Sequence, residues 1–301
     1  MSFSVCRALI VFGSLLLSSE LAAQGPTLGT LDVIRHRGSI LLGYSEDAMP
    51  FSHLDGSDQP VGFSIDLCRQ VTEAIKTRLA RPDLKVFHLT TNDASRQVML
   101  ESGGIDLHCG NSVNTVQKQR SVAFSVTTYV ATVQALTRKD LGIASLSDMN
   151  GKTIATRAGS TATVMVKAAA DRRGVAANFR VDRDDAETLR TLLNGRAEIV
   201  ALSDVSLRRL LLAAPATAGD TLTLLTENYG FEPHGLEFRR QDPSFKRLID
   251  ETLVSLMKSG EFARLYHRWF ASPIPPTGVN FDLPMGETLK QLSMTPNDRG
   301  I

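Results

Sequence analysis

Ser39-Ile40-Leu41-Leu42-Gly43 is a short apolar run that ends in glycine. A run of this length suits a buried parallel strand better than a helix. Ser64, a good capping residue, precedes apolar residues that recur at three- and four-residue steps as far as Leu79, and Arg81-Pro82-Asp83 follows them. That periodicity predicts an amphipathic helix that stops before the proline. Together the two patterns predict a strand followed by a helix, the repeating unit of an α/β fold.

The same alternation continues along the rest of the chain, in two series of which the second begins near Leu146. Further strands are predicted over residues 85–89, 105–109, 153–156 and 198–202, and further helices over residues 94–101, 162–170, 184–194 and 206–213. Because strands and helices alternate in both series, we expect two similar α/β lobes.

Two extended segments, roughly residues 127–135 and 224–230, lie between the two series. We therefore expect the chain to cross from one lobe to the other and to return. Residues 29–132 with 228–301 would form the first lobe, and residues 133–227 would form the second. Two such crossings make a hinge, and the cleft between hinged lobes is the natural place for a ligand.

The N-terminus has the pattern of an export signal. Arg7 precedes a short apolar core over residues 8–17, and polar residues and Ala22-Ala23 follow it. This order predicts a signal peptide over residues 1–23, although a buried first helix would give a similar pattern. No later segment has the roughly 20 apolar residues that a membrane-spanning helix needs, so we expect a soluble protein in the periplasm.

The composition is that of an ordinary globular protein. Of the 301 residues 43% are apolar, and 33 Lys and Arg nearly balance 32 Asp and Glu, giving a net charge of +1. This content excludes a disordered or collagen-like chain. The near-neutral charge provides no global field for a nucleic acid, so we expect no nucleic-acid partner. A monomer is expected.

Cysteines and histidines are few. After removal of the signal peptide only Cys68 and Cys109 remain, and an oxidising compartment would allow them to pair. Cys68 lies on the apolar face of a predicted helix and Cys109 at the end of a predicted strand, so a disulfide and two buried thiols both stay open. The histidines lack the spacing of metal ligands, and neither a metal nor a cofactor is expected.

Several local motifs occur in a characteristic order along the chain. They are Pro50-Phe51-Ser52 with Gly62-Phe63-Ser64-Ile65-Asp66, Ile105-Asp106-Leu107, Val122-Ala123-Phe124-Ser125 and Asn194-Gly195-Arg196-Ala197-Glu198. In this order and spacing the chain resembles the periplasmic amino-acid-binding proteins of ABC importers. Arg81-Pro82-Asp83-Leu84, residues 242–248 and the tail over 273–298 make it most similar to the glutamate/aspartate-binding branch.

The resemblance extends over about residues 29–299. It implies a two-lobed periplasmic binding protein fold of type II. It also implies that the lobes close by hinge motion on a free amino acid, and that the partner is the membrane permease of an ABC importer.

The resemblance further implies where the first lobe would contact the ligand. Lys118 stands where the family has an arginine for the α-carboxylate, and Asn111 and Val113 stand at hydroxyl positions upstream of it. A lysine supplies a single charged donor in place of the planar fork of arginine. Phe51 would form an apolar wall beside the stem of the ligand.

In the glutamate/aspartate-binding branch two further arginines bind the side-chain carboxylate of the ligand. This chain keeps one of them, as Arg96, and has Ser45 at the other position. Asp93, one helical turn before Arg96, stands where the branch has a serine. It would either pair with Arg96 or meet a cationic group of the ligand, and the sequence leaves both open.

The second lobe would contribute a helix start and acids. Gly159-Ser160-Thr161 matches a family turn that offers amides and hydroxyls at a helix N-terminus, where anions bind. Asp185 stands where the branch has a histidine. Asp204, or its neighbour Ser203, stands where the family has the acid for the α-ammonium, and we favour Asp204.

Two alternative functions use a similar fold. Exported dehydratases of aromatic acids would need a carboxylic acid in the cleft, for which Glu46, Asp93 and Asp185 are candidates. A ligand-presenting subunit of a membrane sensor is the other alternative. Motifs of acyl transfer or nucleotide chemistry are absent from the sequence. We therefore expect a binding protein and not an enzyme, with glutamate, aspartate or a related small carboxylate as ligand.

Overall fold

The computed structural model describes residues 28–215 and 220–301. The signal peptide predicted over residues 1–23 lies outside this part of the chain. Within these ranges no helix combines the length and the apolar content needed to cross a membrane.

Strands and helices alternate through most of the described chain. The strands are β1 (Ser39–Tyr44), β2 (Asp47–Ala48), β3 (Ser52–Leu54), β4 (Pro60–Val61), β5 (Lys85–Thr90), β6 (Leu107–His108), β7 (Val122–Phe124), β8 (Tyr129–Arg138), β9 (Thr153–Arg157), β10 (Asn178–Asp182), β11 (Ile199–Ser203), β12 (Leu222–Leu224), β13 (Gly230–His234) and β14 (Glu237–Arg239). The helices are α1 (Thr30–Arg37), α2 (Phe63–Leu79), α3 (Ser95–Ser102), α4 (Thr161–Arg172), α5 (Asp185–Leu193), α6 (Asp204–Ala213), α7 (Pro243–Ser259), α8 (Glu261–Phe270) and α9 (Glu287–Met294). The predicted α/β class is confirmed.

The first lobe is built on a five-stranded sheet in the order β5-β1-β6-β14-β7. β1 pairs in parallel with both β5 and β6, as expected when helices return the chain between strands. β14 comes from much later in the chain and pairs antiparallel with β6 and β7. The first lobe therefore contains both ends of the described chain.

The second lobe is built on a six-stranded sheet. Its order is β10-β9-β11-β8-β12, and β13 pairs with β8. Apolar side chains of β8, β9 and β11, such as Val133, Ile154 and Ile199, are fully buried and pack with α4 in one core cluster. The other faces of the same strands, with Leu136, Ala155 and Val200, form a second cluster with α5 and α6. The fold is thus two-lobed, and the sheet of the second lobe has an apolar core on both faces.

The two lobes are joined by β8 and β13. These strands run antiparallel, with Cα partners from Tyr129 and His234 at one end to Val133 and Gly230 at the other. The sequence placed the second crossing at about residues 224–230, slightly too early. Leu225 and Tyr229, in that stretch, are buried in the core of the second lobe, so the crossing strand starts only at Gly230.

An aromatic cluster fills the first lobe below the crossing strands. The Tyr129 ring stacks on Phe270 with centroids 4.8 Å apart, and Phe51 meets Tyr129 edge-on at 5.0 Å. Such aromatic pairs contribute about 0.5–1.5 kcal/mol each beyond the burial of their area. The cluster thereby anchors the end of β8 to α8.

Cys68 on α2 and Cys109, directly after β6, form a disulfide with 6.1 Å between their Cα atoms. Both side chains are fully buried. Of the two alternatives that the sequence left open, the structure contains the disulfide. The bond ties α2 to the chain just before Asn111.

Loss of this disulfide should destabilise the protein. The two cysteines are 41 residues apart, and the chain entropy of a loop of that size is worth about 4 kcal/mol. We expect the double variant Cys68→Ala/Cys109→Ala to have a free energy of unfolding lower by about 2–4 kcal/mol, measured by urea denaturation. Reductant should destabilise the wild type and leave the double variant unchanged. Equal urea midpoints for wild type and variant would contradict the prediction.

Candidate functional site

A cleft of about 520 Å³ lies between the two lobes, a volume typical of small-molecule sites. Side chains of both lobes line it, and cations and carboxylates are present in equal numbers. The charged residues of the lining are Asp47, Asp93, Arg96, Lys118, Arg157, Asp185, Arg209 and Glu232. Of the residues predicted from the sequence, those that line it are Ser45, Asp93, Arg96, Asn111, Lys118, Ser160, Thr161 and Asp185.

Lys118 begins a short 3₁₀ turn, Lys118–Arg120, on the side of the first lobe. Its Nζ donates a hydrogen bond to the carbonyl oxygen of Val113 at 3.1 Å. Burial lowers the pKa of the Lys118 ammonium, and the nearby Glu237 carboxylate raises it in part. No described carboxylate lies within ion-pair distance of Nζ, so a backbone carbonyl oxygen is the one partner that the described residues offer this charge.

Arg96 is buried, and its charge is met within the first lobe. Its Nε lies 2.6 Å from Oε2 of Glu237, and its Nη1 lies 3.0 Å from Oδ1 of Asp93. Ser112 donates a further hydrogen bond to the same Glu237 oxygen at 2.6 Å. The structure therefore contains the pairing of Asp93 with Arg96, one of the two alternatives that the sequence left open, while contact with a cationic group of the ligand stays a prediction. Glu237, which takes the other side of the guanidinium, was not anticipated.

Ion pairs continue from Asp93 across the cleft into the second lobe. Asp93 lies 3.4 Å from Arg157, Arg157 lies 3.2 Å from Asp185, and Asp185 lies 2.7 Å from Arg209. Arg209 also donates to the carbonyl oxygen of Asp47 in the first lobe at 2.9 Å. Desolvation raises the pKa of Asp93, but the Arg96 and Arg157 guanidiniums outweigh it and hold that pKa below its ordinary value.

The start of α4 faces the cleft from the second lobe. Ser160 caps the helix, because its Oγ accepts a hydrogen bond from the Ala162 amide at 3.2 Å. Thr161 donates a hydrogen bond from Oγ1 to the Glu232 carboxylate. Helix N-termini carry partial positive charge, so this end of the cleft attracts an anion, while Thr161 is already engaged.

Glu232, on β13, is a buried carboxylate of the cleft that the sequence analysis missed. Its exposed fraction is 3%, and burial raises its pKa. Within the described ranges no cation lies within ion-pair distance of it. Glu232 and His234 are both buried positions of the strand, as expected for residues two apart. If the extended segment predicted over residues 224–230 had been continued to residue 234, alternation along the strand would have placed Glu232 on the same face as His234.

Asp204 does not line the cleft, contrary to its predicted role. It is the first residue of α6, and its Oδ1 accepts hydrogen bonds from the Tyr129 hydroxyl at 3.2 Å and the Val205 amide at 2.7 Å. Burial raises its pKa to about 6. Ser203, the last residue of β11, lines the cleft, whereas Asp204 begins α6 and its carboxylate is hydrogen-bonded to Tyr129 in the aromatic cluster.

Phe51 also lies outside the lining and packs in the core of the first lobe. Its ring stacks on His234 with 5.6 Å between centroids, so it supports the cleft from below and does not form its wall. His234 does line the cleft, and its Nδ1 lies 3.0 Å from the carbonyl oxygen of Asn111. Burial lowers the pKa of His234 to about 3, which leaves the ring neutral at physiological pH.

The candidates for acid catalysis lack the expected surroundings. Asp93 and Asp185 are both paired with arginines, and the Arg96 and Arg157 guanidiniums, which hold the pKa of Asp93 below its ordinary value, favour its charged form over a proton donor. Glu46 accepts a hydrogen bond from Thr90 at 2.8 Å and lies outside the lining. Among the residues that the structure describes, no group of histidine, cysteine and carboxylate side chains could hold a metal ion.

Comparison with known proteins places this architecture in a family. The model of the bacterial extracellular solute-binding proteins, family 3, matches residues 40–272. A glutamate/aspartate import solute-binding protein of Salmonella typhimurium is 31% identical over 98% of this chain and 97% of its own. An L-glutamate/L-aspartate-binding protein of Pseudomonas aeruginosa is 33% identical over 94% of this chain and 93% of its own.

Solved structures share the fold. An ancestral amino acid-binding protein, described as a precursor of cyclohexadienyl dehydratase, superposes with a TM-score of 0.63 at 25% identity over 80% of this chain and 99% of its own. The P235GK mutant of ArgBP from T. maritima also gives a TM-score of 0.63, at 24% identity and the same coverage. The family model and the two sequence relatives, together with the two lobes and the cleft, show that the chain belongs to the bacterial extracellular solute-binding proteins, family 3.

Proposed function

We propose that this chain is the extracytoplasmic substrate-binding component of an amino-acid ABC importer. It acts in the periplasm after removal of residues 1–23, and it delivers its ligand to a membrane permease. The ligand is an amino acid or a closely related small carboxylate. The names of the relatives from Salmonella typhimurium and Pseudomonas aeruginosa make glutamate and aspartate the first ligands to test.

One observation carries the proposal: the Lys118 ammonium borders the cleft, and in the described part of the chain its partner is a carbonyl oxygen and no carboxylate. An unmatched charge costs free energy when closure removes water from it, whereas a ligand carboxylate gives it a charge-assisted hydrogen bond. The Ser160 end of α4 supports a carboxylate from the opposite lobe. A ligand held from both lobes favours the closed form over the open one.

Binding without chemical conversion is supported by the state of the candidate acids. Asp93 and Asp185 are each paired with arginine side chains, and Asp93, whose pKa these arginines lower, does not resemble a group that donates a proton at neutral pH. Mass spectrometry of the ligand after incubation with the protein tests this directly. A changed ligand would favour the dehydratase-like alternative.

A thermal-shift screen of the mature chain against amino acids and small organic acids tests the proposed ligand class. A ligand at 100 times its Kd adds about 2.7 kcal/mol to the stability of the folded state. Calorimetric titration then gives the affinity of each ligand found. The proposal fails if no member of either class stabilises the protein.

Removal of the Lys118 charge should weaken binding. Since hydrogen bonds to charged groups are worth about 1.5–3 kcal/mol, Lys118→Gln should raise the Kd by about 10- to 150-fold. Lys118→Arg, which can bind a carboxylate with two donors, should keep or improve the affinity. Lys258→Gln, at an exposed position of α7, is the matched control. Titration calorimetry measures all four proteins, and an unchanged Kd for Lys118→Gln would contradict the role.

Ligand should also make the protein more compact. The lining comes from both lobes, and within the described ranges the chain passes between their sheets along β8 and β13. Small-angle scattering with and without the ligand should therefore give a smaller radius of gyration for the complex. An identical radius in both states would argue against hinge closure.

A further inference from the structure

All charged side chains of the cleft except Asp47 fall into two groups. The first group is already in contact with opposite charges of the protein itself. It consists of Asp93, Arg96, Arg157, Asp185 and Arg209. The three arginines of this group are balanced by its two aspartates and by Glu237, which pairs with Arg96, so a ligand ion must compete with an existing partner to bind any of them.

The second group contains one cation and one buried carboxylate, Lys118 and Glu232. Lys118 donates to the Val113 carbonyl oxygen, and Glu232 accepts from the Thr161 hydroxyl. The described residues place no ion-pair partner beside either. Asp47, the other carboxylate of the lining, is exposed to solvent and keeps its hydration.

A second acceptor lies beside Glu232 on the same strand. His234 Nδ1 faces the Asn111 carbonyl oxygen and must carry the proton, so Nε2 of the neutral ring is an acceptor. This buried Nε2 has no hydrogen-bond partner in the described chain. Two acceptors on one strand suit a ligand group with several N–H donors, such as an ammonium.

Building on the proposed function, we infer that the cleft takes an amino acid of zero net charge. Glu232 accepts hydrogen bonds from its ammonium, and Lys118 donates to its carboxylate. One unpaired cation and one unpaired anion match such a zwitterion charge for charge, and any excess charge would be buried without a partner. Glu232 thus takes the role that the sequence assigned to Asp204, which faces Tyr129 instead.

The side chain of the ligand follows from the surroundings of Arg96. A second ligand carboxylate would have to compete with Asp93 and Glu237 for this guanidinium. A side-chain amide brings no charge and can both accept from Arg96 and donate to Asp93. Within the proposed ligand class, glutamine and asparagine should therefore bind more tightly than glutamate and aspartate.

Titration calorimetry of the mature chain with L-glutamine, L-asparagine, L-glutamate and L-aspartate tests the inference. We expect at least one amide to bind about tenfold more tightly than its matching acid. Tighter binding of an acid in this titration, or of a cationic amino acid found in the thermal-shift screen, would overturn the inference of a ligand with zero net charge. Either result would leave the proposed function in place. Failure of every amino acid and small carboxylate would instead contradict the proposed function.

Variants separate the two parts of the inference. Glu232→Gln should weaken amide binding about tenfold or more, whereas Glu287→Gln, at an exposed position of α9, should not. If Glu232→Gln does not fold, Glu232→Asp keeps the charge but shortens its reach, and it should weaken binding. Wild-type affinity in the folded Glu232 variant would overturn the assignment.

Asp93→Asn addresses the side chain. It removes one carboxylate from Arg96 and Arg157, and should therefore shift the ratio of acid to amide affinity toward the acid by about tenfold. Since Asp93 is exposed, the variant should fold, and circular dichroism checks this. An unchanged ratio would show that Arg96 does not exclude a second carboxylate.

Discussion

The antiparallel pairing of β8 with β13 is the interaction on which the rest of the structure depends. It continues the sheet of the second lobe, and its Tyr129 end is held in the aromatic cluster of the first lobe. Glu232 and His234, both on β13, line the cleft. Backbone hydrogen bonds fix the register of the pair, so the position of both acceptors relative to each lobe follows from the ladder itself.

In the cleft next to this ladder, each charge that is removed from water needs an opposite charge or a hydrogen-bond partner. The protein meets most of its own charges internally, and Arg96 is the extreme case because Asp93 and Glu237 occupy it from two sides. We infer that a guanidinium held in this way binds a ligand anion poorly. Specificity then depends on what is left unmatched, and a single replacement such as serine by aspartate can alter the ligand class without altering the fold.

The sequence predicted local structure well because local structure depends on periodicity. The helix that follows Gly62 and the strand at residues 39–43 were found close to their predicted limits. Pairings between residues far apart in the chain produce no periodic pattern in the sequence. Glu237 lies 141 positions from Arg96 in the chain, and no spacing rule connects them. Asp204 and Ser203 differ by one position, yet the chain changes there from β11 to α6, and only Ser203 lines the cleft.

The bridge from Asp93 to Arg157 joins the lobes without any ligand. Both side chains are substantially exposed, at 74% and 39%, and such pairs are worth about 0–1 kcal/mol. An energy of that size shifts the population of open and closed molecules by a fewfold at most. It is also screened by mobile ions, whose Debye length is about 8 Å at physiological ionic strength. The salt concentration therefore affects the fraction of ligand-free molecules that are closed. An affinity measured in dilute buffer includes that contribution.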